Sequence, residues 1–386
     1  MKILVITSET PPTNSGFSRA VTNITSGLVQ RGHHVDILAR KDMWFVGKGE
    51  FRLTPLSWRK TLSPKRLQQY DLVYLNGPVP TISDFVLAGF ALPQRPKLVY
   101  IHHCSIKLKG LGLLCDMYND VHMRLARMAD HVIVSTPGYR AQMMKYVPAE
   151  KISVVPYGVE PVFKDVSPLK NEQFSVLFVG QMRAYKGVDV LLKAMKGLPD
   201  IRLDVAGGGP NLELYRQMAE ELRLDNVTIH GRVSDEKLRE LYARAHVLTL
   251  PSVNIAEAFG IVQLEGMAAG CVPIATSLPG VRDVARMSGL AVPPGDVDAL
   301  REAIRYLADH PWEWMDRSKL GLRIAKRFSW ERVVDAHERI FQQILQGVPE
   351  TAVPDGPIVS ADVWFGDVLE PSVPYLPPKA VSFSFD

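Results

Sequence analysis

A regular alternation of short apolar runs with helical patterns constrains the fold of this chain more than any other feature. The runs in the first half have the length and composition of strands buried on both faces of a sheet. They cover residues 3–7, 35–38, 72–75, 98–101, 132–134 and 152–155. Helical patterns lie between them at residues 17–30, 81–91, 113–128 and 139–146. Strands that alternate with helices predict a parallel, doubly wound α/β sheet.

The same alternation restarts after a proline-containing linker at residues 156–173. Ser234 and Ser329 each precede a helical pattern and are predicted to cap it. The sequence therefore predicts four segments. These are an N-terminal Rossmann-like domain at 1–165, a second at 166–329, a helix at 330–347 and a tail at 348–386. The tail holds seven prolines and six acids and is expected to be extended or disordered, although its aromatic residues offer the alternative of packing along the body.

Composition excludes several classes of protein. The three cysteines form no disulfide framework, and no signal peptide or membrane-spanning stretch is recognisable, which indicates a cytoplasmic protein. Residues 1–165 carry a net charge of +9 and residues 166–386 carry −5. No nucleic-acid-binding motif accompanies the basic half. Its positive charge therefore indicates a solvated surface, a binding surface for an acidic acceptor or a contact with an anionic membrane.

The membrane alternative rests on residues 106–111, where basic and apolar residues alternate as in interfacial segments. Lys107 and Lys109 would meet anionic lipid. In the competing interpretation, Leu108 and Leu111 begin the core-facing stripe of the helix at 113–128.

The strand, loop and helix at residues 247–276 place two carboxylates, Glu257 and Glu265, at the carboxyl edge of the second sheet. Eight residues along a helix span about 12 Å, which is too far for both to act on one bond and suits two parts of an elongated ligand. The residues between them would open the helix with free N–H groups for anionic oxygens: Phe259, Gly260, Ile261 and Val262.

A second loop, at residues 180–187, follows the strand at 175–179 and contains two cations, Arg183 and Lys186. Such cations suit a diphosphate leaving group. Asp296 and Asp298 have the spacing of a metal-binding pair, but their position favours capping of the helix that follows. No His, Cys or Asp cluster has metal-ligand spacing, so no metal site is predicted.

These motifs together resemble the retaining glycosyltransferases of family 4, which have the GT-B fold. That fold has two doubly wound Rossmann-like domains facing a cleft, and its C-terminal helix crosses back to the first domain. Glu257 to Glu265 is similar to the E-x7-E element of the family. The loop at 180–187 is similar to G-R-L-x-x-x-K-G, with Gln181 in place of the usual Arg. Residues 156–160 resemble the P-N-G-V-D hinge, with Tyr157 in place of Asn.

The resemblance implies roles for individual residues. Glu257 would face the donor sugar, Glu265 would hold the ribose, and Lys186 and Arg183 would neutralise the diphosphate. A histidine at the end of the fourth strand would approach the transferred sugar, and either His102 or His103 fits that position.

The resemblance also implies that the backbone approaches the donor at two glycines, Gly16 and Gly208. The family usually has a pair of glycines at the first position, and here Ser15 replaces one of them. Gly208 lies in a turn similar to G-D-G-P.

The implied activity is metal-independent, retaining transfer of a hexose from a nucleotide-diphosphate sugar, which is a substrate, so no cofactor is expected. The acceptor would be a glycan or lipid-linked, in cell-surface polysaccharide or glycolipid synthesis, and the motif at residues 183–186 resembles mannosyltransferases that use GDP-mannose. A nucleotide-sugar epimerase is the nearest enzymatic alternative. An inactive sugar-nucleotide-binding scaffold is the other, because Gln181 and Ser15 depart from the family pattern.

Overall fold

The protein is represented by a computed structural model that describes residues 1–11, 16–39, 64–89, 95–107, 110–160, 163, 168–347 and 361–366. The described residues form two compact units. The first contains Met1–Gly158 and Phe328–Gly366, and the second contains Val159–Arg327. The chain passes between units inside the predicted linker, before the boundary expected at residue 165.

The first unit is built on a parallel sheet with strand order β2-β1-β3-β4-β5-β6. Its strands are β1 Lys2–Thr7, β2 His34–Ala39, β3 Leu72–Gly77, β4 Lys97–His102, β5 His131–Val134 and β6 Ile152–Val154. Helices α1 Gly16–Gln30, α2 Pro64–Leu67, α3 Ile82–Gly89, α4 Gly112–Ala126 and α5 Pro137–Met143 connect them. The apolar runs of β1, β3 and β4 are buried, as expected for strands covered on both faces.

The second unit repeats this design with strand order β12-β11-β10-β7-β8-β9, again all parallel. Its strands are β7 Ser175–Val179, β8 Arg202–Ala206, β9 Val227–Gly231, β10 Val247–Leu250, β11 Val272–Thr276 and β12 Leu290–Val292. The helices are α6 Val188–Met195, α7 Leu212–Glu221, α8 Asp235–Arg244, α9 Ile261–Ala268, α10 Val281–Ala285, α11 Val297–Asp309 and α12 Pro311–Ala325. The predicted pair of doubly wound sheets is confirmed.

The second sheet changes direction between β7 and β10. The chain builds β7 to β9 towards one edge and then β10 to β12 towards the other, so β7 and β10 are central neighbours. From these two strands the chain continues towards opposite edges of the sheet, from β7 to β8 and from β10 to β11. Open α/β sheets bind ligands at such a switch point.

The predicted helix caps are present. Ser234 Oγ accepts a hydrogen bond from the N–H of Lys237 at 3.2 Å, and Asp296 Oδ1 accepts one from Ala299 at 2.9 Å. Asp296 therefore caps α11, as predicted. Strand β12 and helix α12 were not predicted from the sequence. Helix α12 begins with Pro311, a residue suited to the first helical position.

The C-terminal helix α13, Trp330–Gln346, packs on α1 of the first unit. A Cβ on Gly27 would lie 2.6 Å from Val334 Cγ2, so glycine allows the two helices to approach closely. Arg31 forms an ion pair with Asp335. The predicted return of this helix to the first domain is confirmed.

Part of the tail differs from its prediction. Residues Ala361–Phe365 form a short helix, α14, instead of an extended or disordered chain. Trp364 and Phe365 are buried, with ring centroids 5.8 and 5.9 Å from that of Phe328. The alternative that tail aromatics pack on the body therefore holds for these two residues, because their apolar surface is covered there. The remaining aromatics of the tail lie outside the described residues.

Candidate active site

The loops that follow β7 and β10 are fixed to each other at the switch point. The first ends in a 3-10 turn, Ala184–Lys186, and Gly187 then adopts a left-handed conformation with φ of 69°. A Cβ on Gly187 would lie 2.0 Å from the carbonyl oxygen of Pro251, so a glycine is required here. The N–H of Val253 also donates to the carbonyl of Tyr185 at 2.8 Å.

This contact brings Lys186 to Glu257. The Lys186 ammonium donates to Glu257 Oε2, and Ser252 Oγ donates to the same oxygen at 3.1 Å. Burial lowers the pKa of Lys186, but the charge and hydrogen bond of Glu257 together with the neighbouring Tyr185 outweigh this effect, and the pKa lies above its usual value. The sheet edge therefore presents a partly buried ammonium with its own counter-ion. Sequence reasoning predicted both members of the pair but missed Ser252, which no motif marks.

Glu257 lies in the loop and not on the helix. Helix α9 begins at Ile261, and Gly260 before it is left-handed with φ of 73°. A Cβ on Gly260 would lie 2.3 Å from Leu250 Cδ2, so glycine sets the tight entry into the helix. The estimate of about 12 Å between the two carboxylates assumed a continuous helix and does not apply. Of the residues predicted to open the helix, Ile261 and Val262 are helical and Phe259 lies in the preceding loop.

Glu265 belongs to a different contact. It lies in the middle of α9 and is 1% exposed. Its Oε2 accepts a hydrogen bond of 2.7 Å from the hydroxyl of Tyr242 on α8. Tyr242 is therefore the residue that orients Glu265, and it was not identified from the sequence because it is 23 residues away in the chain.

Arg183 is held by the residue that departs from the family pattern. Its Nε donates to Gln181 Oε1 at 2.8 Å, and its own N–H donates to the carbonyl of Gln181. The predicted diphosphate-binding cations thus differ in environment: Lys186 is paired with a carboxylate, and Arg183 is bonded to a neutral amide.

The glycine turn after β8 packs under the same loop. A Cβ on Gly207 would lie 1.8 Å from the Gly180 carbonyl oxygen, and one on Gly209 would lie 2.6 Å from the nitrogen of Met182. At Gly208 the nearest such atom is 3.8 Å away. Packing therefore requires the glycines on either side, while Gly208 has open space on its Cβ side.

His102 and His103 point to different partners, as alternation along β4 predicts. His103 Nε2 donates to Asn76 Oδ1 at 3.1 Å, and its Nδ1 is bonded to the hydroxyl of Tyr157. The Tyr157 ring stacks on His103 with centroids 6.0 Å apart. Both nitrogens of His103 are therefore occupied, one of them by the tyrosine that replaces the usual Asn of the hinge.

His102 uses only one nitrogen in this way. Its Nδ1 is 3.1 Å from the hydroxyl of Tyr100, and within the described parts of the chain its Nε2 has no hydrogen-bond partner. Burial, together with the nearby His122 and His103, lowers the pKa of His102 to about 3, so the ring is neutral at ordinary pH. Burial and the nearby His337 likewise lower the pKa of His103 to about 3.

Gly16, the remaining predicted site residue, is the first residue of α1. Ser15 and the rest of that loop, residues 12–15, lie outside the described residues. Over the ranges that the structure covers, no group of three or more His, Cys, Asp or Glu side chains is arranged to hold a metal ion.

Two family models match consecutive parts of the chain. The model for Glycosyltransferase Family 4 matches residues 14–163, and that for Glycosyl transferases group 1 matches residues 159–325. The second match contains the Lys186–Glu257 pair, Glu265 and both loops of the switch point.

Individual relatives agree with these matches. The D-rhamnosyltransferase WbpZ of Pseudomonas aeruginosa is 31% identical over 74% of this chain and 75% of its own. The O-antigen chain mannosyltransferase C of Escherichia coli is 27% identical over 87% of this chain and 96% of its own. Among solved structures, sucrose-phosphate synthase from Thermosynechococcus elongatus shares the fold with a TM-score of 0.71 at 22% identity, covering 90% of this chain and 99% of that one. The chain therefore belongs to glycosyltransferase family 4 and has the two parallel-sheet, Rossmann-like units of the GT-B fold.

Proposed function

We propose that this glycosyltransferase moves a hexose, with retention of configuration, from a nucleotide-diphosphate sugar to a glycan or lipid-linked acceptor. The observation that carries the proposal is the partly buried Lys186–Glu257 pair at the switch point of the second sheet. An ammonium at this position suits a diphosphate, and the carboxylate beside it suits the hydroxyls of the attached sugar.

The pair explains how one site serves both parts of the donor. A bound diphosphate competes with Glu257 for Lys186, which frees a carboxylate oxygen to accept hydrogen bonds from sugar hydroxyls. Arg183 and the N-terminal N–H groups of α9 add positive potential for the departing diphosphate. Glu265, oriented by Tyr242, would bind the ribose. Retention corresponds to attack on the face from which the diphosphate departs.

Of the two candidate histidines, we assign contact with the transferred sugar to His102. Its Nε2 is available for a hydroxyl, whereas both nitrogens of His103 already have partners. His102 is 2% exposed, so the residues that cover Nε2 have to move before a sugar hydroxyl reaches it.

For the donor we favour GDP-mannose. Two features support it: the sequence Arg-Ala-Tyr-Lys at 183–186 and the similarity to proteins described as a mannosyltransferase and a D-rhamnosyltransferase. Neutralisation of the diphosphate by two cations also supports turnover without a metal ion.

A donor panel tests these points. The protein is incubated with GDP-mannose, UDP-glucose and other nucleotide sugars, with and without acceptor extract, and nucleotide diphosphate release is followed. We expect release that depends on acceptor and survives excess chelator, and an α-linked product from an α-linked donor. Release or isomerisation without acceptor would identify an epimerase, and binding without turnover would identify a scaffold. Activity lost in chelator and restored by magnesium or manganese would contradict metal independence.

A lipid-linked acceptor is supported by an exposed apolar face on α4. Leu113, Leu114, Met117 and Val121 lie along one side of this helix and are 76, 60, 59 and 56% exposed.

The residues just before the helix were predicted either to meet lipid or to begin its core-facing stripe. Leu111 is 44% exposed, so the core-facing alternative is wrong for this residue. Lys107 lies just before the helix, 3.7 Å from Asp116, while Leu108 and Lys109 lie outside the described residues. No helix in the described ranges is long and apolar enough to cross a membrane.

We propose that this face contacts the lipid surface that carries the acceptor, with the apolar side chains entering the headgroup layer. Co-sedimentation with vesicles containing anionic lipid tests the idea. The double substitution Leu113→Ser and Met117→Ser should release most of the bound protein into the supernatant. Leu214→Ser, which removes a leucine of similar exposure on α7, is the control and should change nothing. Wild-type protein that stays in the supernatant at low salt would refute a membrane contact.

A further inference from the structure

A chain of buried polar side chains in the first unit ends at His102. The hydroxyl of Tyr100 is 3.1 Å from His102 Nδ1 and 2.7 Å from His122 Nε2. On its other side, His122 Nδ1 is 2.6 Å from Asp84 Oδ1. The chain therefore links Asp84 on α3, His122 on α4 and Tyr100 and His102 on β4, residues that no sequence motif connects.

Asp84 fixes the first hydrogen bond of the chain. Its carboxylate also accepts from the N–H of Thr81 at 2.8 Å and from the hydroxyl of Tyr118 at 3.1 Å. Burial raises the pKa of Asp84, but the hydrogen bonds that its carboxylate accepts from His122, Thr81 and Tyr118 favour the charged form, and the pKa lies below its usual value. Asp84 is therefore an acceptor only, and His122 must donate to it from Nδ1.

The remaining bonds follow from counting protons. A neutral His122 that donates from Nδ1 has a lone pair at Nε2, which accepts the hydroxyl proton of Tyr100. Burial raises the pKa of Tyr100 well above its usual value, so its single proton is retained and its oxygen can only accept from His102. His102 then carries its proton on Nδ1 and has a lone pair at Nε2.

The opposite direction is less favourable. An extra proton on His122 would reverse each bond and place an N–H at His102 Nε2, where the described residues offer no acceptor. A buried N–H without an acceptor is rarer in proteins than a buried acceptor with a spare lone pair.

We propose that Asp84, His122 and Tyr100 are positioning residues that hold His102 in the Nδ1–H tautomer, so that its Nε2 accepts a hydrogen bond from a hydroxyl of the sugar substrate. The substrate contact rests on the proposed function, whereas the tautomer is a property of the free protein. A site that presents an acceptor discriminates against a sugar that lacks the matching hydroxyl.

The cluster could instead serve only to hold α3, α4 and β4 together, so the test needs a readout that packing does not affect. The ¹⁵N chemical shifts of labelled histidines report which ring nitrogen carries the proton, and a His102→Gln variant identifies the signal of His102. We expect Nδ1–H in the wild type. In Tyr100→Phe the preference should be lost, with an unchanged circular dichroism spectrum.

Tyr118→Phe is the matched control, because it removes a different hydrogen bond to Asp84 and leaves the chain to His102 intact. It should retain the Nδ1–H tautomer. If Tyr100→Phe does not fold, His122→Phe removes the next acceptor and should also release the preference. An Nε2–H tautomer in the wild type, or an unchanged tautomer in the folded variants, would overturn the proposal.

Kinetics provide the second arm. Loss of one oriented hydrogen bond in Tyr100→Phe should lower kcat/KM for the donor about tenfold, while Tyr118→Phe stays within about twofold. With a donor lacking the hydroxyl that His102 binds, wild type and Tyr100→Phe should react equally. If Tyr100→Phe lowered kcat/KM by the same factor with every deoxy donor, the contact between His102 and one sugar hydroxyl would be contradicted. Failure of the proposed function is distinguishable, since no donor would then be turned over although the tautomer is unchanged.

Discussion

The two units share a six-stranded parallel sheet but differ in the chemistry at its carboxyl edge. In the second unit, Lys186 and Glu257 form a charged pair beside the switch point. In the first unit, β4 carries two neutral side chains, Tyr100 and His102, that belong to a chain of hydrogen bonds.

In the proposed function, one sheet design therefore serves two kinds of recognition. Charge is suited to a diphosphate, because the interaction is strong and depends little on direction. A neutral imidazole with a fixed tautomer is suited to a hydroxyl, because it distinguishes donor from acceptor. The predictions below test this division.

The largest expected effect is a loss of stability in acid that is greater in the first unit than in the second. Burial lowers the pKa of His102 and His103 to about 3. It also lowers the pKa of His131 and His337 to about 4, with Lys151 adding to the effect at His131. The unfolded chain binds protons at these residues below about pH 6.5 and the folded chain does not, so stability falls as the pH decreases. Four such residues cost roughly 5 kcal/mol per pH unit once the pH is well below 6.5.

Hydrogen exchange of the full chain at pH 7 and pH 5, corrected for intrinsic rates, measures this effect. The second unit has His246, whose pKa is lowered to about 4 by burial and Lys170, as its counterpart among the described residues. Peptides from β3 and β4 should therefore lose protection before peptides from β7 and β10. Simultaneous loss in both units would show that the histidines do not set the acid limit.

The next effect is on catalysis. Lys186→Ala removes the ammonium that would neutralise the diphosphate and leaves Glu257 buried without its cation. We expect kcat/KM to fall about 100-fold or more. Lys193→Ala, on the exposed face of α6 beside Asp189, is the control and should behave as wild type. Similar activity of Lys186→Ala and Lys193→Ala would contradict the proposed role of the Lys186 ammonium in binding the diphosphate.

The two carboxylates should fail differently. Glu257→Gln should lower kcat about tenfold or more, since the lost charge would face the sugar. Glu265→Gln should mainly weaken nucleotide binding, because Glu265 is bonded to Tyr242 and would hold the ribose. Calorimetry with free nucleotide diphosphate measures the second effect. Equal affinity of Glu265→Gln and wild type would exclude the ribose contact.

The smallest expected effect concerns the glycine turn. A methyl group at Gly208 meets no atom closer than 3.8 Å, so Gly208→Ala should change the free energy of unfolding by less than about 0.5 kcal/mol. Donor affinity should nevertheless fall severalfold if the backbone at Gly208 approaches the diphosphate. Gly207→Ala is the contrasting variant, and it should be destabilised by its contact with Gly180. Unchanged donor affinity in Gly208→Ala would exclude a donor contact at this turn.

The architecture could be predicted from sequence because strands buried on both faces have continuous apolar runs and helix starts have capping residues. Lys186, Glu257 and Glu265 could be predicted as site residues because they lie in short local motifs, each at a connection between a strand and the helix that follows it. The sequence could not show which of His102 and His103 has a nitrogen without a partner. That difference depends on the bond between His103 and Tyr157, which are 54 residues apart in the chain. The position of Glu257 outside the helix depends on contact between Gly260 and Leu250, which spacing does not reveal.

The partly buried Lys186–Glu257 pair at the switch point should weaken competition by small anions. Without a ligand, the charge of Lys186 is already balanced by Glu257, so the empty site offers little net attraction to inorganic phosphate or sulfate. Such an anion would have to displace a carboxylate that is also bonded to Ser252, with no further contacts to offset the loss. The proposed donor would offset that loss, because its sugar would bind the displaced carboxylate and its nucleoside would bind the rest of the site. The enzyme should therefore tolerate phosphate concentrations at which an unpaired lysine site would be saturated.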